Sequence, residues 1–131
     1  MAEETAYLKP DGEDRVYAKI SFTGLVYTEF TNSLFRFMNI IRQEDGSFPD
    51  DKPDRFDFPG VEKENIFRRL ELDVTIGALD PTNYPDWKVD CEIYRESEET
   101  PFFKASESGK VESGSLTSTN ITIFFTQKNP T

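Results

Sequence analysis

The sequence contains no histidine, and this absence excludes several large classes of chemistry. Ser-His-Asp and Cys-His nucleophile systems need an imidazole that titrates near neutral pH, and zincins need one as a metal ligand. Cysteine occurs once, as Cys91, so an intramolecular disulfide framework and cysteine-cluster metal sites are excluded too. The groups in this sequence that could still support catalysis are carboxylates, lysines, hydroxyls and metals held by oxygen ligands.

Long apolar runs are also missing. No run approaches the ~20 residues that a membrane-spanning helix needs, and residues 1–15 lack the basic start and apolar stretch of a signal peptide. The lone cysteine agrees with a reducing compartment. We therefore expect a cytoplasmic protein that does not associate with a membrane.

Basic residues are scarce relative to acidic ones. Lys and Arg number 15 against 25 Asp and Glu, which gives a net charge of −10. Arg68 and Arg69 are the only adjacent basic residues. Because proteins that bind nucleic acid directly neutralise phosphates with clustered Lys and Arg, we expect no direct nucleic-acid binding. The acidity suits cations, basic protein partners or mimicry of nucleic acid.

Alternation of apolar and polar residues dominates the rest of the chain and predicts β-strands. The four segments that show this alternation most clearly lie at residues 16–23, 70–76, 87–94 and 121–126. All 8 prolines lie between such segments, where they interrupt no ladder of hydrogen bonds. The pattern predicts a mostly β protein, an antiparallel β-sandwich of about five to seven strands.

The predicted domain organisation is simple. Residues 1–14 are polar and acidic and are expected to form a flexible N-terminal arm. Residues 15–127 are expected to form a single β-sandwich domain, and residues 128–131 a tail.

Residues 29–42 fit two patterns equally well. The spacing of their apolar residues is that of a helical stripe, formed by Phe30, Leu34, Phe37, Met38 and Ile41. The part from Leu34 to Ile41 also has the composition of a buried strand. Periodicity cannot decide between the two for a short aromatic segment, so the sequence predicts either a helix or a strand here.

Residues 43–64 are rich in acids, proline and glycine and are predicted to form a long loop. Its aspartates are candidate binding residues: Asp45, Asp50, Asp51, Asp54 and Asp57. Ca²⁺ takes six to eight such oxygen ligands, and Asp50, Asp51 and Asp54 would be the ligands if this loop binds the ion. The spacing is not that of an EF-hand, and a solvated loop without metal explains the same composition.

Tyr84 and Trp87 flank a Pro-Asp turn and are the candidate aromatic contacts for a ligand. Trp87, however, shares its strand parity with Val89, Cys91 and Ile93, which favours a position in the core. Cys91 in that row is expected to be a small buried residue.

These features together predict a binding domain without catalytic activity. We expect it to engage a protein partner through its acidic and aromatic loops, which the strands hold in place. Two alternatives stay open: a calcium-linked carbohydrate-binding module and an acidic inhibitor that mimics DNA. A small hydrolase that uses paired carboxylates is the remaining catalytic hypothesis. The sequence does not specify the partner or the oligomeric state.

Overall fold

Two packed β-sheets make up most of residues 2–49 and 54–127, which are the residues described by the computed structural model. Within these residues the strands are β1 Ala2–Leu8, β2 Val16–Thr23, β3 Val26–Arg36, β4 Asn39–Phe48, β5 Arg55–Asp57, β6 Arg68–Ala78, β7 Asp86–Arg95, β8 Phe103–Lys110 and β9 Thr117–Gln127. A short 3₁₀ helix, Glu62–Asn65, precedes β6.

The larger sheet has the strand order β1-β9-β6-β3-β4, and the smaller sheet has the order β5-β2-β7-β8. All neighbouring strands are antiparallel except β1 and β9, which run parallel. The prediction of a mostly β, single-domain sandwich is thereby confirmed. The described residues form more strands than the predicted five to seven, because several lie where an arm and a loop were expected.

The core lies between the sheets and is built from the inward rows that alternation predicts. On β6 the inward row is Leu70, Leu72, Val74 and Ile76, and all of its members are buried. The rows of β7 and β9 are buried in the same way. Thr28 and Asn32 are polar exceptions on β3, where Thr28 Oγ1 and Asn32 Oδ1 are buried without a hydrogen-bond partner.

The N-terminal residues do not form the flexible arm that their polarity predicted. Residues 2–8 form β1, an edge strand that pairs with β9 from Ala2–Ile121 to Leu8–Gln127. Ala6 and Leu8 are buried in the core, and this burial holds the strand in place. The predicted tail, residues 128–131, lies outside the described residues.

Residues 29–42 form a hairpin of β3 and β4, so the helical alternative was wrong. The hairpin turns at Phe37 and Met38, which are 75% and 92% exposed instead of lying on a buried helical stripe. Within this segment the inward row of β3 includes the polar residue Asn32, which disguised its alternation. β-Branched and small polar residues in this segment also disfavour a helix.

The predicted acidic loop is shorter than its composition suggested. β4 continues through Gly46 to Phe48, and β5 pairs with β2 from Tyr17–Asp57 to Lys19–Arg55. The 3₁₀ helix Glu62–Asn65 accounts for the end of the segment. Residues 50–53 lie outside the described residues.

A buried ion pair joins the 3₁₀ helix to the smaller sheet. Glu62 is fully buried, and its carboxylate accepts hydrogen bonds from Arg95 Nε at 2.8 Å and Arg95 Nη2 at 2.9 Å. The backbone N–H of Lys9 donates to the same carboxylate at 2.7 Å. Gly12 packs closely against this side chain, since a Cβ there would lie 2.8 Å from Glu62 Oε1. The cluster ties the end of β1 to β7.

Within the described residues, no helix has the length and apolarity to span a bilayer.

Candidate functional site

An open groove runs across the outward face of the larger sheet, over β3, β4, β6 and β9. Its volume is about 840 Å³, within the range of sites that hold a ligand. We call it the acidic groove, and its lining residues are Glu29, Phe30, Thr31, Asp45, Gly46, Ser47, Asp73, Val74, Thr75, Ser118 and Thr119. None of these lining residues is basic, so the groove has a negative potential.

The strand register places the acids of the groove in two neighbouring rows. Thr31 lies opposite both Asp45 and Asp73, and its hydroxyl donates to Asp45 Oδ1 at 2.7 Å. Asn120 Nδ2 donates to Asp73 Oδ1, also at 2.7 Å. Glu29 lies in the next row along β3. These hydrogen bonds fix the Asp45 and Asp73 side chains and leave them exposed to solvent.

Aromatic side chains flank the acidic groove at both ends. At one end, Tyr27 packs against Gly77, where a Cβ would come within 2.2 Å of the ring. At the other end, Arg69 lies opposite both Phe35 and Phe124 in the register. The Arg69 guanidinium carbon is 4.4 Å from the centre of the Phe35 ring. At about 3.4 Å per residue, Tyr27 and Phe35 are ~27 Å apart along β3.

The predicted aspartates do not form one cluster. Asp45 lies in the acidic groove, whereas Asp57 lies on the smaller sheet and forms an ion pair with Arg55 at 2.8 Å. The carbonyl of Asp54 accepts a hydrogen bond from Ile20 N at 2.8 Å. Asp50 and Asp51 lie outside the described residues. The fold therefore distributes Asp45 and Asp57 over both sheets.

The predicted calcium site falls mostly outside the described residues, because two of its three proposed ligands are Asp50 and Asp51. Among residues 2–49 and 54–127, no three His, Cys, Asp or Glu side chains are grouped so that they could hold a metal ion. Calcium binding stays a prediction.

Tyr84 and Trp87 occupy different environments. Tyr84 is 60% exposed, in a turn where Asp80 accepts hydrogen bonds from the backbone N–H groups of Asn83 and Tyr84. Trp87 is only 7% exposed and packs over Gly109 in the core. The alternation of β7 was therefore the better guide, and Trp87 presents no aromatic surface for a ligand.

Cys91 is fully buried in the same row as Trp87. Burial raises the pKa of its thiol to about 12, and the charge of nearby Glu92 adds to the effect. A thiol that stays protonated is a poor nucleophile, so Cys91 is a structural residue.

Sequence reasoning missed most of the acidic groove. The outward row of β6, which contains Asp73 and Thr75, is visible in the alternation of that strand. The residues that neighbour this row on β3 and β9 are not visible, because strand order and register determine them, and the alternation within a single strand reveals neither. For the same reason, the sequence pattern did not predict that Tyr27 and Phe124 flank a site.

No protein-family profile, curated protein or solved structure matches this chain.

Proposed function

We propose that this chain is a binding domain without catalytic activity and that its partner is a protein with a basic, extended segment. The observation that carries the proposal is the acidic groove, which is lined by Glu29, Asp45 and Asp73 and by no basic residue. The segment would lie in this groove and place its Lys or Arg side chains against the carboxylates. The single cysteine of the sequence agrees with a reducing compartment such as the cytoplasm.

The flanking aromatic residues favour a protein over a small cation. Protein interfaces are enriched in aromatic side chains. Tyr27 and Phe124 are both substantially exposed at opposite ends of the groove. An extended segment of about eight residues spans ~27 Å and would contact both ends. Apolar side chains near the ends of the segment would complement them.

The open shape of the groove supports binding over catalysis. Catalytic carboxylate pairs depend on a water-excluding site that separates their pKa values. Asp45 and Asp73 are exposed on a sheet surface, and each is already engaged by a neighbouring hydroxyl or amide. Such a surface recognises charge and shape, and it attracts a basic partner over a distance that salt limits.

A defined peptide tests the proposal. The probe is a fluorescein-labelled octapeptide with Arg at alternate positions and Phe at each end, and its reference replaces every Arg with Glu. We expect fluorescence anisotropy to show binding of the Arg peptide only. Binding should weaken as ionic strength approaches about 0.15 M, where the Debye length is ~8 Å.

Matched variants locate the binding. Asp45→Asn combined with Asp73→Asn should weaken binding of the Arg peptide by about tenfold or more, because charge-assisted contacts are lost. Asp57→Asn on the other sheet is the control and should leave the affinity unchanged. Failure of the Arg peptide to bind, or equal binding by the double variant, contradicts the proposal.

Mimicry of DNA is a second candidate, because the outward face of the larger sheet, within the described residues, carries several carboxylates and a single cation. The carboxylates are Glu3, Glu29, Asp45, Glu71 and Asp73, and the cation among the described residues of that face is Arg69. Neighbouring rows and strands separate such groups by about 5–7 Å. If the partner is a DNA-binding protein, duplex DNA should compete with this chain for it. Absence of competition would leave the simple protein-binding function.

A further inference from the structure

A second pocket, at the turn of the β3–β4 hairpin, contains two arginines that have no carboxylate partner among the described residues. Its volume is about 370 Å³, and it is lined by Arg36, Phe37, Glu64, Ile66, Phe67 and Arg68. We call it the arginine pocket. It lies beyond Phe35 and Arg69, outside the acidic groove, and the proposed function does not use it.

Arg36 and Arg68 lie directly opposite each other on β3 and β6. Like charges in this arrangement destabilise a sheet. In the described part of this acidic chain, neither guanidinium has a carboxylate within 4.0 Å. Arg68 donates one hydrogen bond, to Asn65 Oδ1 at 2.8 Å. Burial and the charge of Arg36 lower the pKa of Arg68, and Glu64 only partly opposes them. The fold thus keeps two positive charges together without neutralising them.

Two aromatic residues form the walls of the pocket, and both have energetically unfavourable backbone conformations. Phe37 and Phe67 have φ angles of 57° and 70°, in the left-handed region, which costs a residue with a Cβ roughly 1–2 kcal/mol. Both rings are exposed, at 75% and 69%. Burial of the rings within this chain therefore does not offset the cost. A ligand that covers the rings would gain apolar contact, and the adjacent arginines would bind an anion.

We infer that the arginine pocket binds a phosphate monoester carried on an aromatic ring. Two guanidiniums match the charge of such a phosphate, which is about −1.5 to −2 at neutral pH, and they can donate several parallel hydrogen bonds to its oxygens. Phe37 and Phe67 would contact the ring. Glu64 is the one acid in the lining, and its carboxylate accepts a hydrogen bond from Val61 N at 3.0 Å.

Phenyl phosphate is the probe. Phenol and inorganic phosphate, which correspond to its two halves, are the comparison ligands. In an NMR titration of the ¹⁵N-labelled protein, we expect phenyl phosphate to shift amides within residues 36–38 and 64–68. Each half should bind at least about tenfold more weakly, because it makes only the apolar contacts or only the ionic ones. Absence of binding at millimolar concentration, or shifts spread over the acidic groove, would overturn the inference.

Four variants separate binding from folding. Arg36→Gln should weaken binding by about tenfold and slightly raise the melting temperature, since it relieves repulsion. Phe37→Asn should also weaken binding without a loss of stability, because Asn tolerates the left-handed conformation. Glu64→Gln should strengthen binding. Arg42→Gln is the control, because Arg42 lies 3.5 Å from its own partner Glu44 on β4. Equal weakening by the control contradicts the assignment.

A lipid phosphate is the competing source of the same chemical group. Vesicles that contain phosphatidic acid should leave the protein in the supernatant after sedimentation, because the net charge of −10 opposes approach to an anionic surface. Sedimentation with the vesicles, together with no response to phenyl phosphate, would overturn the choice of ligand. The acidic groove plays no part in these measurements, so their failure leaves the proposed function intact.

Discussion

Glu62→Gln should be one of the most destabilising conservative substitutions in this chain. The change keeps the shape of the side chain but removes the charge that Arg95 and the N–H of Lys9 contact. Arg95 has a side chain only 11% exposed, and among the described residues Glu98, at 3.4 Å, would be its remaining carboxylate within ion-pair distance. Breaking one side of a buried ion pair costs about 3–5 kcal/mol. That is a large part of the roughly 5–15 kcal/mol that stabilises a typical domain.

Urea unfolding followed by the fluorescence of buried Trp87 measures this loss directly. A destabilisation of about 3 kcal/mol corresponds to a fall in melting temperature of roughly 10 °C in a domain of this size. Glu98→Gln is the matched control. Its side chain is 39% exposed, and exposed ion pairs contribute about 0–1 kcal/mol.

A double variant tests the cause of the effect. Glu62→Leu combined with Arg95→Met removes both charges and replaces them with apolar side chains. Such replacements are often neutral or stabilising, so the pair should lose far less stability than Glu62→Gln alone. If Glu62→Gln destabilises no more than Glu98→Gln, the ion pair does not hold β1 and β7 together as described.

Three further predictions concern the core. Gly46→Ala should cost about 1–3 kcal/mol, because its Cβ would lie 2.4 Å from Cζ of the Phe30 ring; a loss below about 0.5 kcal/mol in urea unfolding would refute this contact. Burial raises the pKa of Cys91 to about 12, so a thiol reagent at about pH 8 should react only as fast as the protein unfolds. For the same reason, the free energy of unfolding should fall as pH rises from about 8.5, where the thiol of the unfolded chain ionises, towards about 12. Rapid reaction of Cys91 in the folded protein would refute its burial.

The strands were predictable wherever one face is apolar and the other polar. Leu70 to Ile76 and Trp87 to Ile93 alternate without exception, and both rows are buried. Residues 29–42 were ambiguous because Asn32 occupies an inward position of β3, which removes the signal that alternation provides. β1 gave no signal, because a seven-residue edge strand with only part of one face buried has the composition of a solvated arm.

The candidate site was much less predictable than the fold. Sequence motifs connect residues that are close together along the chain, and for that reason the aspartates of residues 43–64 were predicted to form one cluster. The structure instead joins Glu29, Asp45 and Asp73 through the register of three strands. Arg36 and Arg68 also became neighbours only through the pairing of β3 with β6. Chemistry built across strands depends on long-range pairing that local patterns do not encode.

The parallel pairing of β1 with β9 determines the order in which the sheet can be completed. Ala2 lies beside Ile121, so this contact closes a loop of nearly the whole chain. Contacts between such distant residues slow folding, because the entropy of loop closure is lost before the contact forms. During synthesis, β1 leaves the ribosome first among these strands and β9 leaves last. β1 therefore lacks its pairing strand until β9 has emerged, and its backbone hydrogen-bonding groups are open to non-native pairing until then.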